Sequence, residues 1–238
     1  MSPWRATRRT RGGVFADLDR ITDIIAASGL MCRGGFHPGT GDGVPGDPGT
    51  AILVGNAGPA MWRAFQRARR DEPHSLNAWS RRVLVAAARE LGADVVFPFD
   101  GPPYHPFQRW AGKAEPVHVS PIGPLIDAEF GLWHAYRGAL LFAEKLALPP
   151  RRVGSSPCQG CPEKPCLTGC PVGALEAGRY DVPACVAYVS TSAGRACLEG
   201  GCLARHACPV SRGHAYAPDQ AQFHMESFVA AHRPGDTP

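Results

Sequence analysis

The sequence predicts an α+β fold in two parts: a sheet-and-helix domain over residues 15–148 and a small cysteine-rich domain over 158–238, joined by a linker at 149–157. Three observations carry this. Short apolar runs alternate with helical patterns as far as about residue 148. A stretch rich in Pro, Arg and Ser, Pro149-Pro150-Arg151-Arg152 through Ser155-Ser156-Pro157, then breaks the pattern. Beyond it the composition changes, for eight of the nine cysteines fall between Cys158 and Cys208. With 238 residues, 44% apolar and 19% charged, the chain can bury a sizeable core, and wholesale disorder is excluded.

Leu18, Ile21, Ile24 and Ile25 recur at helical spacing and Ser28-Gly29 supplies a stop, so the first element is an amphipathic helix. Cys32 stands on an expected strand and reads as a small buried hydrophobe without a chemical role. Residues 34–49 are dense in Gly and Pro and read as a loop. Ala51 to Val54 fits a buried strand, and Gly58-Pro59 opens a helix running to about Arg69. Ser75 is placed to cap the next helix, which carries Trp79, Val83, Ala86 and Ala87 on one face and stops at Gly92. Ala93 to Phe99 reads as a strand and 98–106 as a second Gly/Pro loop. The stretch Leu132 to Leu148 is ambiguous: its Ala, Leu, Glu and Lys content favours helix, yet Gly131 and Gly138 interrupt it. A last helix is expected from about Pro218 to His232, with Phe223 and Phe228 as packing residues.

The net charge of +4 is matched by Arg5, Arg8, Arg9 and Arg11, and the remainder is balanced. The basic stretch therefore reads as a solvated tail, and no nucleic-acid partner is expected. No apolar window is long enough for a membrane span. Gly12, Gly13, Asp17 and Asp19 follow the adjacent arginines where an exported chain needs an apolar segment, so the expected location is the cytoplasm. Disulfide staples in a secreted protein would be spread over the whole fold, which these cysteines are not.

The cysteines run Cys158-x2-Cys161-x4-Cys166-x3-Cys170-Pro171, then Cys185, then Cys197-x4-Cys202-x5-Cys208-Pro209. A bacterial ferredoxin run, C-x2-C-x2-C-x3-C-P, holds a cubane with three thiolates from one loop, while its fourth Cys serves a second cluster. Here the middle gap is two residues longer and the terminal Cys-Pro is kept. Applying the crossed rule twice gives Cys158, Cys161, Cys166 and Cys208 on one [4Fe-4S] cluster, and Cys170, Cys185, Cys197 and Cys202 on another. Tetrahedral zinc suits C-x2-C and C-x4-C spacing too. The Cys-Pro ends and the Pro-Val-Gly-Ala-Leu after Cys170 weigh toward clusters.

Ser120-Pro-Ile-Gly-Pro-Leu-Ile-Asp-Ala-Glu-Phe-Gly-Leu-Trp-His-Ala-Tyr-Arg-Gly-Ala-Leu-Leu resembles the central segment of the CblC (MMACHC) family of cobalamin-processing proteins. Gly58-Pro-Ala-Met-Trp-Arg-Ala-Phe and Phe107-Gln108-Arg109 are similar to earlier stretches of that family, in the same order. The resemblance covers about residues 50–148. It implies a flavin-nitroreductase-like sheet, in which Leu132–Phe142 is a strand despite its local propensity. The order of the cysteines, with an isolated Cys185 in a Cys-x-x-Tyr context, also resembles the two-cluster ferredoxin-like domain that follows a cobalamin domain in epoxyqueuosine reductases and reductive dehalogenases. Those families carry long catalytic extensions that this chain lacks.

What the resemblance implies is a corrinoid pocket. A corrin is a broad apolar disc rimmed by amides. Phe107, Trp110, Trp133 and Tyr136 are candidates for its surface, and Gln108, Arg109 and Arg137 for the rim amides. His105 and His134 invite comparison with axial cobalt ligands; the related proteins hold cobalamin base-off, which makes His134 a pocket-lining residue instead. The expected function is an iron–sulfur redox protein that passes electrons from two [4Fe-4S] clusters to a base-off cobalamin, either to process the cobalamin or to reduce a substrate. Its electron donor would be a flavodoxin, a ferredoxin or a flavin reductase. Two rivals stay open: a ferredoxin-type carrier whose N-terminal domain docks a partner, and FMN in place of the corrinoid.

Overall fold

The computed structural model describes residues 14–232; the basic stretch with Arg5, Arg8, Arg9 and Arg11 lies outside them. The fold is mixed, with helices and small antiparallel sheets. It divides into two compact units, residues 14–116 with 134–154, and residues 117–133 with 155–232. Segment 117–133, read from sequence as part of the first domain, thus packs with the cysteines.

In the first unit the chain runs through α1 (Val14–Ala27), β1 (Met31–Phe36), β2 (Thr50–Ala57), α2 (Ala60–Ala68), α3 (Ser75–Leu91), β3 (Asp94–Val96) and α4 (Phe107–Ala114). After the excursion into the second unit it returns as β6 (His134–Phe142). The strands form one sheet in the order β1-β2-β6-β3, every pair antiparallel. Ala51, Ile52, Leu53 and Val54 of β2 are all fully buried. Successive strand residues face opposite ways, so both faces of the sheet are covered. β6 is a strand where local composition favours helix; Gly138 lies against Leu84 of α3 so closely that an added Cβ would meet its Cδ1 at 2.7 Å.

Two expectations need correction, and one helix stands where no element is expected. Gly34 to Phe36 belong to β1, not to the 34–49 loop, because Gly34 adopts φ 142° and lets the strand continue past a bulge. Ser75 is the first residue of α3; the cap position is His74, in a left-handed conformation with no side-chain capping bond. Phe107–Ala114 forms a helix that the sequence reading did not separate from its flanking loops. Its buried residues, Phe107, Trp110, Ala111 and Ala114, have the i, i+3, i+4, i+7 spacing that packs one face.

The second unit contains β4 (His118–Val119) paired with β5 (Leu125–Ile126), α5 (Pro165–Thr168), the hairpin β7 (Leu175–Glu176) and β8 (Arg179–Tyr180), α6 (Val182–Val189), α7 (Arg195–Gly200), α8 (Leu203–Ala207) and α9 (Pro218–Ala231). Ile122, Ile126 and Leu132 pack on Cys166, Leu175, Ala204 and Cys208. Segment 117–133 therefore gives the cysteine loops an apolar floor that their own composition lacks. A second cluster joins Val186, Val189 and Cys197 to Val229 of α9, with Met225 and Phe228 against it. Phe228 thus packs as expected, while the buried residues of α9 include Gln220 and Ala221. No helix of the described residues is long and apolar enough to cross a membrane.

Candidate metal centre

Short elements place all eight thiols. Ser156 accepts from the Cys158 amide at 3.3 Å and starts the single turn Pro157–Gly160, which sets Cys158 and leads into Cys161. Cys166 sits inside α5 and Cys170 just beyond it. The Ala174 amide donates to the Cys170 sulfur at 3.3 Å. Asp181 caps α6 by accepting from the Ala184 amide at 3.0 Å, and this helix carries Cys185. Cys197 is in α7. Cys202 and Cys208 are the N-cap and C-cap of α8, so one short helix presents a thiol at each end.

The thiols that feel one another's charge fall into two sets. Cys158 senses Cys208 and Cys161, and Cys166 senses Cys208, Cys158 and Cys161. Cys185 senses Cys170 and Cys197, and Cys202 senses Cys185 and Cys197. All four of these sensing thiols are pushed up from the ordinary thiol range, mainly by burial. Backbone amides of Arg205 and Ala204, at the start of α8, oppose the rise at Cys202 by donating to its sulfur. Partial burial, followed by the nearby Cys185 thiol, raises the Tyr180 phenol above its ordinary range.

Cys170, Cys185, Cys197 and Cys202 together line a cavity of about 270 Å³, with apolar side chains such as Val189 and Leu175 in its wall. Four thiols around one apolar-walled cavity are a donor set suited to a soft metal or an iron–sulfur cluster. Among the described residues, no three His, Cys, Asp or Glu side chains gather around a point that a single ion would fill. All nine cysteines are free of disulfides. Cys32 lies in the core of the first unit, where burial pushes its thiol up to about 12.

The residues named for a corrinoid are dispersed. Phe107 and Trp110 are core residues of α4, with ring centroids 4.9 Å apart, and the Trp110 indole donates to the Asp42 carbonyl at 2.8 Å. His105 stacks on Trp110. Gln108 and Arg109 are exposed on the same helix. Trp133 belongs to the second unit, where its ring lies beside Tyr216 and beneath the Arg205 guanidinium. Arg137 reaches Asn77 at 3.5 Å. Two cavities in the first unit measure about 60 Å³ and about 160 Å³. Both are smaller than the ~300–1,000 Å³ of ordinary ligand pockets, and none of the named residues lines either.

His134 and Tyr136 face a polar group that sequence reasoning missed. Arg33 donates to Glu115 at 3.1 Å, with both side chains almost fully buried, and also contacts Nδ1 of His134 at 3.4 Å. Tyr136 donates to the same carboxylate. Burial, then the Glu115 charge, raises the Tyr136 phenol well above its usual range. Arg33 is the bulged residue of β1 and Arg137 that of β6, since the pairing register skips each of them. Nothing in sequence joins Arg33 to Glu115, which lies 82 residues away.

Comparison of the chain with protein-family models and with curated proteins gives no match. Among solved structures it is similar to epoxyqueuosine reductase from Streptococcus thermophilus, at 14% sequence identity and a TM-score of 0.48, over 84% of this chain and 69% of that one.

Proposed function

We propose that the chain is an iron–sulfur redox protein with two [4Fe-4S] clusters, one on Cys158, Cys161, Cys166 and Cys208 and one on Cys170, Cys185, Cys197 and Cys202. The observation that carries this is the 270 Å³ cavity walled by the second four thiols, in a unit whose charge-sensing thiols separate into the same two sets that the sequence spacing suggests. Bound clusters would supply single electrons at low potential. The chain's own part is to present thiols, exclude water with Val189 and Leu175, and aim the amides of Ala174, Ala204 and Arg205 at sulfur.

As electron acceptor we propose a corrinoid on a CblC-like, nitroreductase-like N-terminal unit, with a flavodoxin, ferredoxin or flavin reductase as donor and the cytoplasm as location. The support for the corrinoid is the sequence resemblance over residues 50–148. Gln108 and Arg109, exposed on α4, are the side chains best placed to reach rim amides. The contacts already held by Phe107, Trp133, His134 and Tyr136 favour a second reading, in which this unit docks a partner and the chain is a ferredoxin-type carrier.

Anaerobic purification, iron and sulfide analysis, and an ultraviolet–visible spectrum test both parts. A brown protein with a band near ~400 nm that dithionite bleaches is expected; a colourless protein that holds zinc after anaerobic reconstitution overturns the clusters. Added hydroxocobalamin is expected to give a base-off shift, and its absence at high concentration leaves the carrier.

A further inference from the structure

We propose that the Arg205 guanidinium is the fixed counter-charge of the Cys170, Cys185, Cys197 and Cys202 centre and raises its reduction potential, an inference that rests on the cluster reading above. Arg205 lies in the wall of the cavity that these four thiols line, and among the described residues of that wall it is the one Asp, Glu, His, Lys or Arg. It sits on α8, three residues after Cys202, the N-cap of that helix. Its side chain is part-buried and held by groups that leave its charge uncancelled. Nε donates to the Leu132 carbonyl at 3.1 Å, and Nη2 donates to the same oxygen. The guanidinium carbon lies 4.3 Å from the Trp133 ring centroid and 4.7 Å from that of Tyr216. A carbonyl dipole and two π faces stabilise a cation without neutralising it, as a carboxylate would.

Four thiolates outweigh the positive charge of a [4Fe-4S] core, and one added electron makes the assembly more negative still. A fixed cation nearby stabilises the reduced form more than the oxidised form. Bulk solvent screens that difference less where the charge is part-buried beside apolar side chains such as Leu175, Val189 and Phe228. The guanidinium therefore raises the potential, and loss of its charge lowers it. Arginine keeps that charge at every working pH. If Arg205 served only to tie Leu132 and Trp133 to α8, its removal would change stability, and the potential would not follow the charge.

The test is a redox titration of anaerobically reconstituted wild type, Arg205→Gln and Arg205→Lys, followed by electron paramagnetic resonance. Dithionite supplies the one electron per cluster, and the guanidinium keeps its protons. The midpoint that belongs to this set is the one that Cys170→Ser removes. With equal iron and sulfide in all proteins, that midpoint is expected to move negative by about 59 mV in Arg205→Gln, the equivalent of a tenfold weaker one-electron reduction. Arg205→Lys, which keeps the charge, is expected to hold it near the wild-type value. An unmoved midpoint in Arg205→Gln, or equal shifts in both variants, overturns the role of the charge and leaves the clusters standing. Wild-type protein without iron or sulfide overturns the cluster reading, and this inference with it. Should Arg205→Gln lose iron, Arg205→citrulline, neutral and of the same shape, decides: a negative shift supports the role and an unchanged midpoint overturns it.

Discussion

Glu115 holds the most demanding position in the first unit. Its carboxylate is buried and accepts from both Arg33 and Tyr136. An ion pair taken out of water gains little over apolar packing, but removing one partner strands the other charge at a cost of about 3–5 kcal/mol. Glu115→Ala is therefore expected to lower the unfolding free energy by about that amount in urea titrations, and Glu115→Gln, which keeps an acceptor for Tyr136, by less. An equal, small loss in both variants would show that the pair is not buried as described. Tyr136 and His134 were nameable from sequence as residues of interest. Their partners were not, because a charge pair 82 residues apart leaves no local pattern.

At the scale of elements, two glycines separate what backbone sterics require from what composition suggests. Gly55 of β2 stands opposite the β6 bulge, and a Cβ there would meet the Ala135 carbonyl oxygen at 2.1 Å. The obstacle is backbone in the middle of the sheet, so Gly55→Ala should cost at least the ~1–3 kcal/mol typical of overpacking. Gly112 of α4 has open space around its Cα. Gly112→Ala should stabilise the fold by about 0.5–1 kcal/mol, since alanine loses less entropy in a helix. Thermal unfolding of the two variants, one melting lower and the other higher than wild type, checks both. The helices α1, α2, α3 and α9 were legible from apolar spacing and stop signals. α4 was missed because eight residues between two Pro-rich loops offer only two turns of pattern, and β6 was readable only through resemblance.

Over the whole molecule, the crossed ligand sets make a prediction that no single loop would. Cys166 and Cys170 lie four residues apart at α5, yet the proposal gives them to different clusters. Cys166→Ser and Cys170→Ser should each lose about half of the cluster iron, and each should retain a different midpoint in a redox titration. Loss of the same midpoint in both variants would place the two thiols on one cluster. Cys202 and Cys208 at the two ends of α8 provide a second such pair.

By itself the sequence determined the cysteine segment, its spacing, the long amphipathic helices and the central apolar strand, because each of these is written within a few residues by periodicity or by motif. Only the tertiary structure decided that 117–133 leaves the first unit to floor the cysteine loops, that Arg33 and Glu115 are buried together, and that Tyr180 stands in the wall beside Cys185. These are contacts between distant segments, and they depend on which surfaces must be covered once the local elements have formed.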